Sequence, residues 1–179
     1  MVETSVVVAC GACQVFWEEG ATAACSDPDH EHQRHELHRH RDRVVLPDGT
    51  AVIAVSFDAA DPYLRDHTPD YGVYLDQRWQ PPWPHDQLDW PDFGVPADPE
   101  FMITTLRRAL NRARAGERVE LGCLGGHGRT GTALAALAVL TGHPAADAVA
   151  WTRTNYCTKA VETPAQESFI AQFQPTCQN

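Results

Sequence analysis

Residues 118 to 140 read RVELGCLGGHGRTGTALAALAVL: a short β-rich run, a loop with four glycines in nine positions, and a stretch that is apolar on every side. A helix with no polar face has to be surrounded by other elements, so the chain cannot be a simple bundle with one wet side per helix. A strand entering a glycine loop and leaving as a helix also points several amide N–H groups one way, with the helix dipole behind them. That arrangement holds anions.

Several anions remain possible at this level. The dinucleotide fingerprint Gly-x-Gly-x-x-Gly is present at Gly126, Gly128 and Gly131, but it needs a second strand and an acidic residue about 20 positions on. Here more helix follows, with Asp147 inside it. A Walker loop would need a glycine at Cys123 and a lysine at Arg129. A third reading uses every unusual residue. Cys123 and Arg129 bracket five residues, so thiolate and guanidinium can meet on one phosphoryl group. The N–H groups of Leu124, Gly125, Gly126, His127, Gly128 and Arg129 would surround its oxygens. The thiol at the entrance is then a nucleophile.

The rest of the chain supplies layers for an α/β sandwich: a central, mainly parallel, twisted sheet flanked by helices, with the glycine loop between a strand and a buried helix. RVVLPDGTAVIAVSF (43 to 57) reads as a hairpin around Pro47-Asp48-Gly49. A proline-rich stretch from Pro62 to Pro99 reads as long loops with strand-like pieces at 71 to 75 and 87 to 89. Asp98-Pro99-Glu100 starts a helix that stops at Gly116. Further helices are expected over 145 to 156 and 164 to 173. With 179 residues and 43% apolar composition, one catalytic domain (44 to 179) preceded by a Cys/His-rich segment (1 to 43) is expected.

A formal charge of -10, with Lys159 as the single lysine among fourteen basic residues, disfavours nucleic acid, anionic membranes and polyanionic substrates. The first residues lack a basic segment before their short apolar run, so no secretory leader is expected and the location is read as cytoplasmic. Cysteines are then reduced thiols, metal ligands or a nucleophile rather than disulfides.

The stretch GCLGGHGRTG resembles the signature loop of the cysteine-dependent protein tyrosine phosphatases, Cys-x-x-Gly-x-Gly-Arg-Ser/Thr-Gly. It matches at Cys123, Gly126, Gly128, Arg129, Thr130 and Gly131. Independently, WPDFGVP (90 to 96) resembles the mobile Trp-Pro-Asp loop of that family. AVETPAQESFI (160 to 170) is similar to its glutamine loop, with Glu162 and Gln166 at the two positions that would orient the hydrolytic water. Thr163 to Gln166 also reads as a plain capping box.

The resemblance implies a cysteinyl-phosphate mechanism needing no cofactor. Cys123 attacks phosphorus, Arg129 holds the phosphoryl oxygens, Asp92 protonates the leaving oxygen, and Thr130 donates to the sulfur when water releases phosphate. Trp90 and Phe93 are expected to desolvate Asp92. A thiol of ordinary acidity is only ~3% ionised at pH 7, so the loop must stabilise the thiolate. Gly122 stands where the family usually has a histidine that helps with this; His127 falls at a slot facing the substrate rim. Tyr63 and Tyr71 are candidates for an aromatic substrate wall. The implied substrate is a phosphotyrosine protein, with dual specificity open. A phosphoprotein-binding module without turnover and a phosphatase of a small metabolite are the alternatives.

In the first segment, Cys10, Cys13, Cys25 and His30 (or His32) could form a Cys3His zinc site. A Cys-x-x-Cys redox pair, or a solvated histidine-rich stretch with small buried thiols, are the competing readings. His35, His38 and His40 receive no role, and Cys157 and Cys177 are read as structural.

Overall fold

The computed structural model describes residues 3–10, 12–13, 15–57 and 63–174. Eight strands and four helices follow in chain order. They are β1 (Glu3–Cys10), β2 (Val15–Glu18), β3 (His32–Arg39), β4 (Arg41–Val45), β5 (Ala51–Ser56), β6 (Tyr71–Tyr74), β7 (His85–Gln87), α1 (Pro99–Arg114), β8 (Val119–Cys123), α2 (Gly128–Leu140), α3 (Ala145–Asn155) and α4 (Pro164–Ala171).

They form two sheets. One is antiparallel, in the order β2-β1-β3; the other runs β4-β5-β8-β6-β7. In the larger sheet only β4 and β5 are antiparallel, and the β5–β8, β8–β6 and β6–β7 pairings are parallel. The expected mainly parallel sheet with flanking helices is therefore present. β8 lies at its centre, so the loop leaving β8 emerges at the middle of the carboxyl edge, where open parallel sheets bind ligands.

Strand alternation separates the two faces of the large sheet. Val52 and Ala54, Tyr71, Val73 and Leu75, and Val119, Leu121 and Cys123 join the main core, to which all four helices contribute. Residues of the opposite parity, Val55, Tyr74 and the following Phe57, pack with Trp83, Trp79 and Tyr63 in a second cluster. The proline-rich connection thus covers the second face. A buried ion pair sits under it: Arg65 donates from Nε and Nη2 to Glu120, both at 2.8 Å, and the Tyr74 hydroxyl donates to the same carboxylate at 2.9 Å.

α2 is buried along its length from Gly128 to Ala138, as its composition required. α1 is capped by the Asp98 side chain, which accepts from the Phe101 amide at 2.9 Å, and it ends before Gly116. Among the described residues no helix is long and apolar enough to cross a membrane.

Some positions differ from expectation. The strand expected at 87 to 89 is β7, at 85 to 87, because it pairs with Gly72 to Tyr74. The first segment is not irregular: it supplies β1, β2 and β3, which the hairpin and alternation signals had not revealed. The strand that opens the large sheet begins at Arg41, before the boundary placed at 43. Tyr71 is buried in the core with its hydroxyl on Asp86, so it does not form a substrate wall. His35 and His38 lie in β3, with side chains outside the described set, and Cys177 is outside the described residues.

Candidate active site

Cys123 ends β8 and α2 starts at Gly128, so the loop between them has only Leu124 to His127 in which to turn. The turn is made at Gly126, whose φ of +75° suits a residue without a Cβ; a Cβ there would also meet His40 Cδ2 at 2.9 Å. Three of the four loop carbonyls accept hydrogen bonds. Leu124 O accepts from the Phe57 amide at 2.8 Å, Gly126 O from the Tyr156 hydroxyl at 2.6 Å, and His127 O from the Gly131 amide at 2.8 Å. The amides of Leu124, Gly125 and Gly126 donate to no protein acceptor among the described residues. Engaged carbonyls beside amides left over are suited to an anion.

Cys123 is 3% exposed, and the Thr130 hydroxyl donates to its sulfur at 3.1 Å. Arg129 is 5% exposed and held on several sides. Its Nη1 donates to the carbonyls of Leu75 (2.9 Å) and Trp90 (3.3 Å), and its Nη2 pairs with Asp76 (3.3 Å) and Asp92 (3.2 Å). Its Nε is buried with no hydrogen-bond partner. A buried guanidinium N–H without an acceptor is costly in a finished core and is suited to a ligand oxygen.

Asp76 escaped the sequence reading. It follows β6 at the carboxyl edge of the sheet, a place where ligand-side residues collect, and that position was its only signal. Arg78 grips it from Nε and Nη2 at 2.8 and 2.6 Å, and this, more than its burial opposes, holds the Asp76 carboxyl below the usual range. Arg129 therefore faces an anchored carboxylate on one side.

The Trp-Pro-Asp loop lies over the same guanidinium. Trp90 is 3% exposed and donates from Nε1 to Gly94 O at 3.0 Å, closing the loop on itself. The desolvating enclosure expected around Asp92 is absent in this arrangement. Trp90 points into the core, Phe93 is 61% exposed, and the Asp92 side chain is 57% exposed while it pairs with Arg129.

The third segment joins both loops. Gln166 is fully buried; its Nε2 donates to Gly94 O at 3.0 Å and its Oε1 accepts from the Glu162 amide at 2.9 Å. The Thr163 hydroxyl donates to Phe93 O at 3.1 Å and caps α4 by accepting from the Gln166 amide at 3.2 Å. Glu162 brings its carboxylate against Gly128, so closely that a Cβ there would overlap it. Thr163 is thus the N-cap of α4, and the Gln166 side chain ties this segment to the Trp-Pro-Asp loop. The two non-glycine residues with positive φ among those described, Phe93 (56°) and Val161 (61°), lie one in each of these loops. Such strain costs of order 1–3 kcal/mol each and gathers where loops are positioned for function.

Behind the loop is a group of side chains that sequence reasoning left without a role. His40 Nδ1 lies 2.7 Å from Asp42 Oδ2, and its Nε2 lies 3.1 Å from His127 Nε2. The His40 ring packs on Tyr156 with centroids 4.7 Å apart. Burial alone would lower the His40 pKa; the bonds to Asp42 and to the Cys157 thiol outweigh it and raise it to about 9. His127 thus faces His40 as well as the loop. At Gly122 a Cβ would overlap the Val55 carbonyl, so the close approach of β5 leaves no room for a side chain.

A parallel sheet that delivers a cysteine and an arginine to one anion cradle, beneath a Trp-Pro-Asp loop, defines an α/β protein of the cysteine-phosphatase class. The family model for the protein-tyrosine phosphatases matches residues 81–163, which span both loops. The chain belongs to the protein-tyrosine phosphatase superfamily. Two uncharacterized proteins of Methanocaldococcus jannaschii are 31% and 32% identical to it over 114 residues. The match covers 56% of this chain and 68% and 74% of theirs. The crystal structure of Tk-PTP in its active form is similar at a TM-score of 0.50 and 28% identity, over 56% of this chain and 74% of that one. Kinase associated phosphatase, crystallised with serine in place of its catalytic-site cysteine, shares the fold. Its TM-score is 0.59 at 13% identity, over 75% of this chain and 92% of that one.

Proposed function

We propose that the protein hydrolyses phosphomonoesters on proteins, phosphotyrosine first, through a phosphorylated Cys123. The observation that carries this reading is the loop itself: engaged carbonyls, amides without protein acceptors among the described residues, the Cys123 sulfur held by the Thr130 hydroxyl, and the unpartnered Nε of Arg129. The amides and Arg129 stabilise the thiolate and bind the phosphoryl oxygens. The thiolate attacks phosphorus, the bond to the leaving oxygen breaks, and Asp92 gives that oxygen its proton. Water, oriented beside the Glu162 carboxylate, then attacks the cysteinyl-phosphate and returns a proton to Asp92. The S–P bond breaks, with Thr130 donating to the departing sulfur.

No cofactor takes part in these steps. His40 is the positioning residue that offsets the missing histidine at Gly122, because it fixes the loop at Gly126 and His127 from behind. An aromatic substrate is favoured by Leu124, which packs in the cluster of Tyr63 and Trp79 and so brings partly exposed rings beside the first residue of the cradle. The acidic charge disfavours nucleic-acid and anionic-lipid partners, and a free thiol nucleophile suits a reducing cytoplasm.

Para-nitrophenyl phosphate hydrolysis by the native chain and by Cys123→Ser is the test. Turnover that disappears in the serine variant while inorganic phosphate still binds supports the reading. Phosphate binding without turnover in the native chain would make it a phosphoprotein-binding module instead.

A further inference from the structure

Four side chains between residues 10 and 30 converge at one end of the small sheet. Cys10 ends β1, Cys13 lies in the turn to β2, and Cys25 and His30 come from the connection between β2 and β3. His30 Nδ1 lies 3.6, 3.3 and 3.5 Å from the sulfurs of Cys10, Cys13 and Cys25, and the sulfurs of Cys13 and Cys25 are 3.6 Å apart. A tetrahedron with Zn–S of about 2.3 Å and Zn–N of about 2.0 Å has S···S edges of about 3.8 Å and S···N edges of about 3.5 Å. The four atoms already stand at that spacing. We propose that Cys10, Cys13, Cys25 and His30 form a structural zinc site.

The surroundings agree with a metal rather than a disulfide. A single S–S bond would leave the third thiol and the imidazole with nothing to do at the same point. The Cys13 amide donates to Cys10 Sγ at 3.4 Å, a contact that suits a thiolate ligand. His30 turns its other nitrogen, Nε2, toward Asp27 Oδ2 at 3.5 Å, as a metal-bound imidazole does with a neighbouring carboxylate. Asp27 is itself placed by a turn, accepting from the Asp29 amide at 3.0 Å.

The small sheet is built from residues 3 to 39. Units of about 40 residues rarely fold on burial alone and use metals or disulfides instead. The site is independent of the phosphatase reading, since none of its ligands touches the cradle.

The test uses the full chain, purified reduced and without a metal-affinity step. Elemental analysis should find about one equivalent of zinc, since a structural site of this type is closed and retains its ion. After metal removal, cobalt(II) should restore about one equivalent of tetrahedral centre with thiolate charge-transfer absorption. A Cys25→Ser, His30→Ala double variant should lose both signals, and Cys157→Ser should keep them. If the double variant does not fold, the cobalt titration of the native chain decides alone. Zinc near zero with no thiolate absorption on cobalt addition, or a Cys13–Cys25 disulfide in protein purified under reducing conditions, would overturn the site. Phosphatase activity has no part in either outcome.

Discussion

At Gly122, a single position sets this protein apart from the pattern it resembles, and the reason is geometric. The Val55 carbonyl lies where a Cβ would go, so the strand pairing and a preceding histidine exclude each other. Gly122→His should therefore not improve turnover; it should lower stability by about 1–3 kcal/mol, the usual penalty of overpacking, read as a fall in Tm. A stable and faster variant would contradict the close approach. Asp92 reaches the Arg129 guanidinium but is otherwise open to solvent. Asp92→Asn should slow the hydrolysis of esters with poor leaving groups by about 10²-fold or more, and of para-nitrophenyl phosphate much less. Equal losses across leaving groups would remove it from the role of acid. Cys123, Arg129 and Asp92 were legible because each belongs to a contiguous motif. Asp76 was not, because its partnership with Arg129 spans 53 positions and rests on sheet order alone.

Among elements, the junction of β3 and β4 matters more than its sequence suggested. It places His40 against Asp42, His127, Cys157 and Tyr156, and so ties the first segment to the back of the cradle. The His40 pKa is raised from 6.5 to about 9, so its proton stabilises the folded state. That stabilisation is full below the unfolded value near 6.5 and is lost as pH rises through about 9. The Tm difference between native chain and His40→Gln should thus be largest near pH 6 and shrink toward pH 10. A difference that grows with pH would contradict the paired imidazolium. Helices and the hairpin could be read from caps, glycines and periodicity. β1 to β3 could not, since their strand pairing comes from contacts between turns that no local pattern announces.

For the molecule as a whole, two sheets divide the labour. The larger carries the candidate site at the end of its central strand; the smaller brings Cys10, Cys13, Cys25 and His30 together at one end. If that cluster carries zinc, a chelator should lower the Tm and do so through the small sheet first. Amides of β1 and β3 should lose hydrogen-exchange protection while those of α2 and β8 keep theirs. Simultaneous loss in both sheets would show one cooperative unit. Charge, element order and the glycine loop had already set the outline, an acidic α/β chain, but the chain-wide arrangement that covers one face of the large sheet with loops rather than helices came only with the fold.

The central claim is that sulfur and guanidinium act on one phosphoryl group. Acid quenching during turnover of a phosphotyrosine peptide, followed by peptide mapping by mass spectrometry, tests it most directly. Phosphate is expected on Cys123 of the native chain, accumulating when water attack is slowed by Glu162→Ala and absent from Cys123→Ser. Sustained turnover by the serine variant, or phosphate carried on any other residue, would contradict it.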